Sequence, residues 1–514
     1  MHALTRRSFL RGTAGAAALV AAAGPLAACA GATTPAAGST GGLLRIAALG
    51  APADALNILT SSGTVDYMAM WSLYEPLVRL TGEKVEPVLA ESIEPNADAT
   101  GYTIRVREGV TFHSGRPLTA TDVRYTLATL ADPKRSPTFA RTYADLDVAG
   151  MKVLDARTLT VPLKRPRADL VDGVLTNFSL VFPDGTTDDK WAAADGTGPL
   201  RLAAEQPSGG GRTLERNPGF WGSAARLDRV EITSVSDPAT RLNALRGGEV
   251  DFAHAISPAG AASIAGDPSV QVLRGGAANS QAMTLEMNVT KKPFDNPDVV
   301  RAIRMLVDRR ALVDTVLFGQ GQLGNDLVGK GLVGYDASIA QRTRDVATAR
   351  TLLAGAGVSR IELKVADLVP GTADAAKLIV EQAAEAGLTI TVQSAPADSY
   401  FADFAALLST PLQSFYFVNR PPVSNIALYT GSGSGFNTTG EASPEYDALL
   451  RRVQSTVDAG ARQRALDAVQ QYLWDRGGQL VWGFGEHLDA AAPGVGGVTY
   501  DQSLPLLGGV SFAR

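Results

Sequence analysis

Cysteine is almost absent from this 514-residue chain. Cys29 is the only one, so no internal disulfide can form in any redox compartment. Histidine is nearly as scarce: His2, His113, His254 and His487 are scattered, with no HExxH and no Cys/His cluster. A structural zinc site or a metalloprotease is therefore not indicated, and no metal or cofactor is expected. No run of Lys and Arg occurs, the net charge is −5 and the pI is about 5.6, which argues against nucleic acid as a partner. No apolar stretch is long enough to span a bilayer. The candidate, Ala14 to Ala28, is broken by Gly15, Gly24 and Pro25. What remains is 45% hydrophobic with mean hydropathy near zero, a globular composition with ample core. The length suggests about two to four domains.

The first 42 residues read as address and tether. Thr5-Arg6-Arg7-Ser8-Phe9-Leu10-Arg11 is a twin-arginine string, and the interrupted apolar run after it completes an export signal over 1–28. It closes on Leu26-Ala27-Ala28-Cys29, which resembles a bacterial lipobox. Cys29 is expected to receive lipid and become the first mature residue, anchoring the protein to the outer face of the cytoplasmic membrane. The bland alternative is a chance thiol in an Ala-rich leader. Residues 29–42, rich in Gly, Ala, Thr, Pro and Ser, read as a flexible tether.

From Leu43 onward the patterns are those of an α/β protein. Tyr102, Ile104 and Val106 alternate with polar residues as a half-buried strand. Turns follow at Glu108-Gly109 and His113 to Pro117, and Thr119 with Asp122 opens a helix. His113 reads as a hydrogen-bonded turn residue rather than a ligand. Asn296 and Pro297 open the strongest helix, whose apolar stripe (Val299, Ile303, Leu306, Val307, Val313, Val316) continues to Gly319. Ile361, Leu363 and Val365 alternate, Ala373 to Ala386 is helical, and Leu388, Ile390 and Val392 alternate again. That is a βαβ unit and hence a parallel strand pair.

Several of these strings closely resemble one family. Gly101 to Leu127, Tyr74-Glu75-Pro76-Leu77-Val78, Gly196-Thr197-Gly198-Pro199-Leu200, Asn217-Pro218-Gly219-Phe220-Trp221, Arg241 to Asp251 and the Leu285 to Asn296 block are similar to the extracytoplasmic solute-binding proteins of the peptide/nickel class. Those proteins serve ABC importers. The resemblance implies a periplasmic-binding-protein-like type II fold, two α/β lobes around a cleft with an additional small domain inserted. By that analogy the first lobe holds 43–74, 190–285 and 486–514, the insert 75–189 and the second lobe 286–485. It also implies a monomer that captures a peptide or peptide-like solute, closes, and delivers it to a membrane permease without catalysis. An oligosaccharide or a metal chelate is the alternative cargo. A secreted lipoprotein hydrolase is the rival from another class, but no nucleophile with a base can be placed.

Two glycine-rich strings invite other chemistry. Gly319 to Gly324 fits GxGxxG but follows a helix, where a dinucleotide loop must follow a strand, so it reads as a helix end and loop. Gly431 to Gly435 has Gly433 where a hydrolase elbow needs serine, and reads as a surface loop. The informative stretch is Phe415-Tyr416-Phe417-Val418-Asn419-Arg420-Pro421. It lies where peptide-binding relatives carry an aromatic–Asp–Tyr–x–Asp–Pro string whose first Asp holds the ligand's α-ammonium. Here no acid occurs between Asp403 and Glu441, and Asn419-Arg420 stand in its place. Asn brings no charge and Arg420 would repel an ammonium. The expected ligand group there is anionic or neutral, or the peptide is blocked, unless Arg420 points to solvent. Phe415, Tyr416, Phe417 and Trp482 are candidate stacking walls, though aromatic stripes are as often core.

Overall fold

A computed structural model describes residues 40–513, except 51–55, 61–62, 82–83, 137–138, 177–178, 397–399, 402–403 and 432–433. The leader and Cys29 lie outside the described residues, as do Ser432 and Gly433 of the glycine-rich loop. Among the described residues no helix is long and apolar enough to cross a membrane. Gly41 and Gly42, the end of the stretch read as tether, are held. The Gly41 amide donates to the Arg226 carbonyl at 2.6 Å and the Gly42 amide to Asp228 at 2.8 Å.

Two large sheets organise the chain. The first has seven strands around Leu43–Ala48, which runs parallel to Arg229–Ser234 on one side and Phe252–Ala253 on the other. Leu44, Ile46 and Ala48 are fully buried, while the intervening Arg45 clamps Asp251 with its Nε and a terminal nitrogen at 2.9 and 2.8 Å. The second sheet has six strands. Gln281–Met287 lies antiparallel between Leu412–Val418 and Gln479–Gly485. Arg360–Val365 and Thr389–Ser394 are parallel and joined by the helix Thr372–Glu385, the βαβ unit that the alternation predicts. Strand Gln271–Arg274 belongs to the first sheet and Gln281–Met287, whole, to the second, so residues 286 and 287 share a sheet with 281–285.

A third, antiparallel sheet of four strands (Ala90–Pro95, Gly101–Val106, Thr158–Pro162, Lys152–Val153) carries the segment Tyr102–Val106 at its centre. The helix Ala120–Leu130 follows it. Asp122 accepts the Thr119 backbone N–H at 2.9 Å and pairs with Arg116 at 2.5 Å, completing the reciprocal start signal. The His113 ring lies within reach of the carbonyls of Ala194 (Nδ1, 3.3 Å) and Gly198 (Nε2, 3.1 Å), a structural turn contact.

Two expectations change. The stripe from Asn296 to Gly319 is not one helix but two, Pro297–Leu306 and Arg309–Val316. Val307 takes an extended ψ of 122° and Asp308 caps the second helix through the Ala311 amide at 2.9 Å. The break lets buried Arg304 reach the carbonyls of Leu473, Trp474, Gly477 and Gln479 at the end of the helix Ala459–Arg476. Second, residues Gly321–Leu323 of the GxGxxG string are not loop but an edge strand paired with Gly483–Gly485.

Glycine is obligatory where the chain returns to the first lobe. A Cβ on Gly196 would stand 1.9 Å from the Leu73 carbonyl oxygen, and one on Gly198 2.2 Å from that of Ser72. Beside them the buried Glu75 carboxylate accepts from Trp221 Nε1 at 2.7 Å and Thr197 Oγ1 at 2.9 Å. Burial pushes its pKa up to about 7 despite those donors.

Two outcomes follow from this junction. Gly196→Ala is expected to cost about 1–3 kcal/mol, because backbone rather than a movable side chain must yield; an unchanged denaturant midpoint would refute the close approach. For Glu75 the folded pKa is raised, so the folded state holds the proton that the unfolded chain releases. Its contribution to stability is highest below the ordinary value of 4.5 and falls as pH rises to about 7, by about 3 kcal/mol at most. Glu75→Gln should therefore be less stable relative to wild type at pH 5 than at pH 8. A difference between the two melting curves that does not move with pH would sink this account.

Candidate functional site

The chain passes between the two large sheets twice among the described residues, once from Arg274 to Gln281 and once from Gly485 to Leu488. The two crossings lie side by side: the Gly275 amide donates to the His487 carbonyl at 2.9 Å, and Arg274 pairs with Glu486 at 2.5 Å. A cavity of about 680 Å³ opens next to them. Its first wall includes Tyr67, Trp71, His254, His487 and Gln502, and its second includes Gln281, Met283, Tyr416, Val418 and Arg420. That volume is within the range of small-molecule sites. A smaller cavity of about 350 Å³ lies elsewhere, lined by residues that include Arg165, Arg167 and Asp145, already paired with one another.

Of the six candidate residues, Tyr416 and Arg420 line the inter-sheet cavity and the other four do not. The strand Leu412–Val418 alternates, so the neighbours of Tyr416 face the opposite way. Phe415 and Phe417, with ring centroids 5.0 Å apart, are buried in a cluster with Val328, Tyr400, Leu407 and Phe484. Trp482 sits in the core that holds Leu306, Leu312 and Val313. Asn419 is fully buried and acts as a brace. Its Oδ1 accepts from the Gly329 amide, and its Nδ2 donates to the carbonyls of Ala277 and Lys330, all at 2.9 Å.

Arg420 is 6% exposed and lines the cavity. One terminal nitrogen donates to Gln502 Oε1 at 2.8 Å and the other to the Tyr429 hydroxyl at 3.2 Å, while its buried Nε has no hydrogen-bond partner. No ion pair to Arg420 occurs among the described residues. Asp501, close enough to feel its charge, is engaged by Trp71 Nε1 and Arg79 Nε, both at 3.1 Å; burial raises the pKa of this carboxyl, against the pull of Arg79, Trp71 and Arg420. The acids in the cavity lining are Asp367, which is exposed, and Glu486, which is held by Arg274. The wall around Arg420 thus offers a buried cation and no free buried carboxylate.

Gln502 and Ser503 form the two-residue turn of the hairpin Tyr500–Asp501 with Leu504–Pro505, both at positive φ (52° and 67°). Asn and Gly ordinarily fill such turns, so two other residues there carry strain. Three parts of the molecule hold it in place. Gln502 donates to the Thr176 carbonyl at 3.3 Å and accepts from Arg420, and the Ser503 amide donates to Asn279 Oδ1 at 2.9 Å.

Sequence analysis misses one cluster altogether. His254 and His487, remote in the chain, meet with ring centroids 4.9 Å apart over the buried Asp489. Asp489 Oδ1 lies 3.1 Å from His254 Nδ1 and 2.9 Å from His487 Nε2. Burial holds His254 below its ordinary pKa against the attraction of Asp489, so its imidazole is neutral at pH 7. Only strand pairing brings these residues together, since Phe252–Ala253 and Leu488–Ala491 are hydrogen-bonded neighbours.

Comparison with known proteins agrees with this geometry. The family model "Bacterial extracellular solute-binding proteins, family 5 Middle" matches residues 84–434. Di/tripeptide-binding protein 1 of Pseudomonas aeruginosa is 28% identical over 303 residues, 54% of this chain and 56% of that protein. The glutathione-binding protein GsiB of Salmonella typhi is 27% identical over 318 residues, 61% of each chain. The aligned part thus spans less than two thirds of these curated relatives. Among solved structures, the binding protein AgaA of A. tumefaciens R10 with agropinic acid superposes with a TM-score of 0.79 at 24% identity, covering 92% of this chain and 99% of that one. DppA of Helicobacter pylori with the peptide STSA gives 0.77 at 20% identity, covering 93% and 99%. The fold is periplasmic-binding-protein-like, type II, and its relatives are binding proteins rather than enzymes. The chain belongs to the bacterial extracellular solute-binding proteins of family 5.

Proposed function

We propose that this protein is the lipid-anchored solute-binding component of an ABC importer, taking a peptide or peptide-like solute into the cleft between its two large sheets and passing it to a membrane permease. The observation that carries this reading is the cavity of about 680 Å³ enclosed by two separate sheets that share two adjacent chain crossings. Such a geometry supports closure by bending at the crossings, with the solute desolvated between the walls. The corresponding partition keeps the insert at 75–189 but moves the expected boundary at 285/286 back to 280/281, because the strand Gln281–Met287 lies whole in the second sheet. Residues 43–74, 190–280 and 486–514 then form the first lobe and 281–485 the second. Export by the twin-arginine route and lipidation at Cys29 would place it, as a monomer, on the outer face of the cytoplasmic membrane.

Arg420 defines the kind of solute. A buried guanidinium with a free Nε and no carboxylate partner favours an anionic or neutral group, such as a carboxylate or the acyl oxygen of a blocked N-terminus. A free α-ammonium at that spot would meet repulsion with no acid to offset it. Tyr416 would lie against the same end of the solute. The buried guanidinium also suits an acid other than a peptide, a reading supported by the likeness to AgaA, which is in complex with agropinic acid.

Two measurements test the reading. In calorimetric titrations with a solute identified by mass spectrometry of the purified protein, Arg420→Ala should weaken binding about tenfold or more, near 1.4 kcal/mol. N-acetylated peptides should bind at least as well as their free-amine counterparts. Unchanged affinity in the variant would remove Arg420 from the site, and a strict preference for a free amine would overturn the assignment of charge. In the host cell, Cys29→Ser should move the protein from the membrane fraction to the soluble one; continued membrane association would refute the anchor.

A further inference from the structure

His254, His487 and Asp489 form a buried cluster of three residues of metal-ligating type beside the cavity. Each residue offers one ligand atom, and the three atoms lie within 4.8 Å of one another. All three side chains are buried, and the two imidazoles form part of the cavity wall. His254 Nδ1 and His487 Nε2 stand 3.1 and 2.9 Å from the same carboxylate oxygen, so two imidazole nitrogens and one carboxylate oxygen converge on a single buried point.

We propose that His254 Nδ1, His487 Nε2 and Asp489 Oδ1 bind a single divalent transition-metal ion of the imidazole-preferring class, such as Zn²⁺, Ni²⁺ or Co²⁺. Ligand atoms of a tetrahedral site with bonds of 2.0–2.1 Å are separated by about 3.3 Å, close to both nitrogen–oxygen spacings here. Two nitrogens and one carboxylate oxygen are the donor set that catalytic or ligand-exchanging sites use, with a position left open. An ion between them would take both nitrogens as ligands and offset the carboxylate charge.

The surroundings already orient the ligands. The Tyr500 hydroxyl donates to Asp489 Oδ2 at 2.9 Å and the Ala255 amide to Oδ1 at 2.7 Å, leaving one lone pair on Oδ1 for the ion. Leu488–Ala491 is paired on both sides, with Gln271–Arg274 and Phe252–Ala253, so the backbone under the site is fixed. Ala255 sits next to His254 at a positive φ of 53°, a strained conformation for a residue with a side chain. The open position would be reached from the cavity, so a solute bearing a donor atom, or water, could complete the shell.

The site rests on these side chains alone and not on which solute fills the cleft, so its failure and that of the transport reading are separable. The full chain, stripped with a chelator and desalted, is titrated with Zn²⁺ and Ni²⁺ by calorimetry and with Co²⁺ by visible absorption. The expected result is one equivalent bound, with the intense ligand-field bands of a tetrahedral Co²⁺ centre. His254→Ala, His487→Ala and Asp489→Asn should each weaken binding at least tenfold. Because Asp489→Asn could disturb folding, His487→Gln with an unchanged circular dichroism spectrum serves as the control variant and should lose affinity likewise. Retention of no equivalent of any of the three ions by the wild-type protein overturns the proposal. So does undiminished binding in folded His254→Ala and His487→Gln proteins.

Discussion

The architecture depends on a pair of neighbouring chain crossings. Residues 275–280 and 486–487 join sheets that otherwise carry separate strands, and they are tied to each other by the Gly275–His487 backbone bond and the Arg274–Glu486 pair. A cavity between two sheets must open beside their shared connection, and the crossings therefore decide where a guest can sit. They also decide which residues meet there. Gly485, Glu486, His487 and Leu488 all line the cavity because the strand leaving one sheet has barely begun the next.

The protein also buries charge within the second lobe. Arg304 is fully buried, its pKa lowered to about 10 by desolvation, and it satisfies the carbonyls at the end of the helix Ala459–Arg476. Asp326 is shared by Arg309 and Arg342, at 2.5 and 2.6 Å, and its amide donates to the Val481 carbonyl of the second sheet at 3.3 Å. Breaking such a network leaves an uncompensated charge, so its value lies in specifying one arrangement more than in net stability. The strained turn at Gln502 and Ser503 works in the same sense, holding Arg420 against the first wall through a single hydrogen bond.

The loop that follows the strand Leu412–Val418 carries no acidic residue. Asn419 and Arg420 follow a strand whose aromatic residues are divided by the pleat, Tyr416 toward the cavity and Phe415 and Phe417 into the core. Asn419 is consumed in bracing three backbone segments, which leaves Arg420 as the charged residue that the loop presents.

Much was legible in the residues themselves. The strand Gly101–Val106, the Thr119 start signal, the Asn296-Pro297 start and the βαβ unit over 360–394 follow from local periodicity and capping, which involve only near neighbours. The absence of acid around Arg420 is likewise a property of the string alone. The break at Val307 and the side to which each aromatic turns needed the fold, because long-range partners (Arg304 with the Gln479 carbonyl, Phe417 with Tyr429) decide them. His254, His487 and Asp489 carry no spacing that could announce them. They become neighbours only when an antiparallel pairing joins strands more than two hundred residues apart, and that pairing is a property of the tertiary structure.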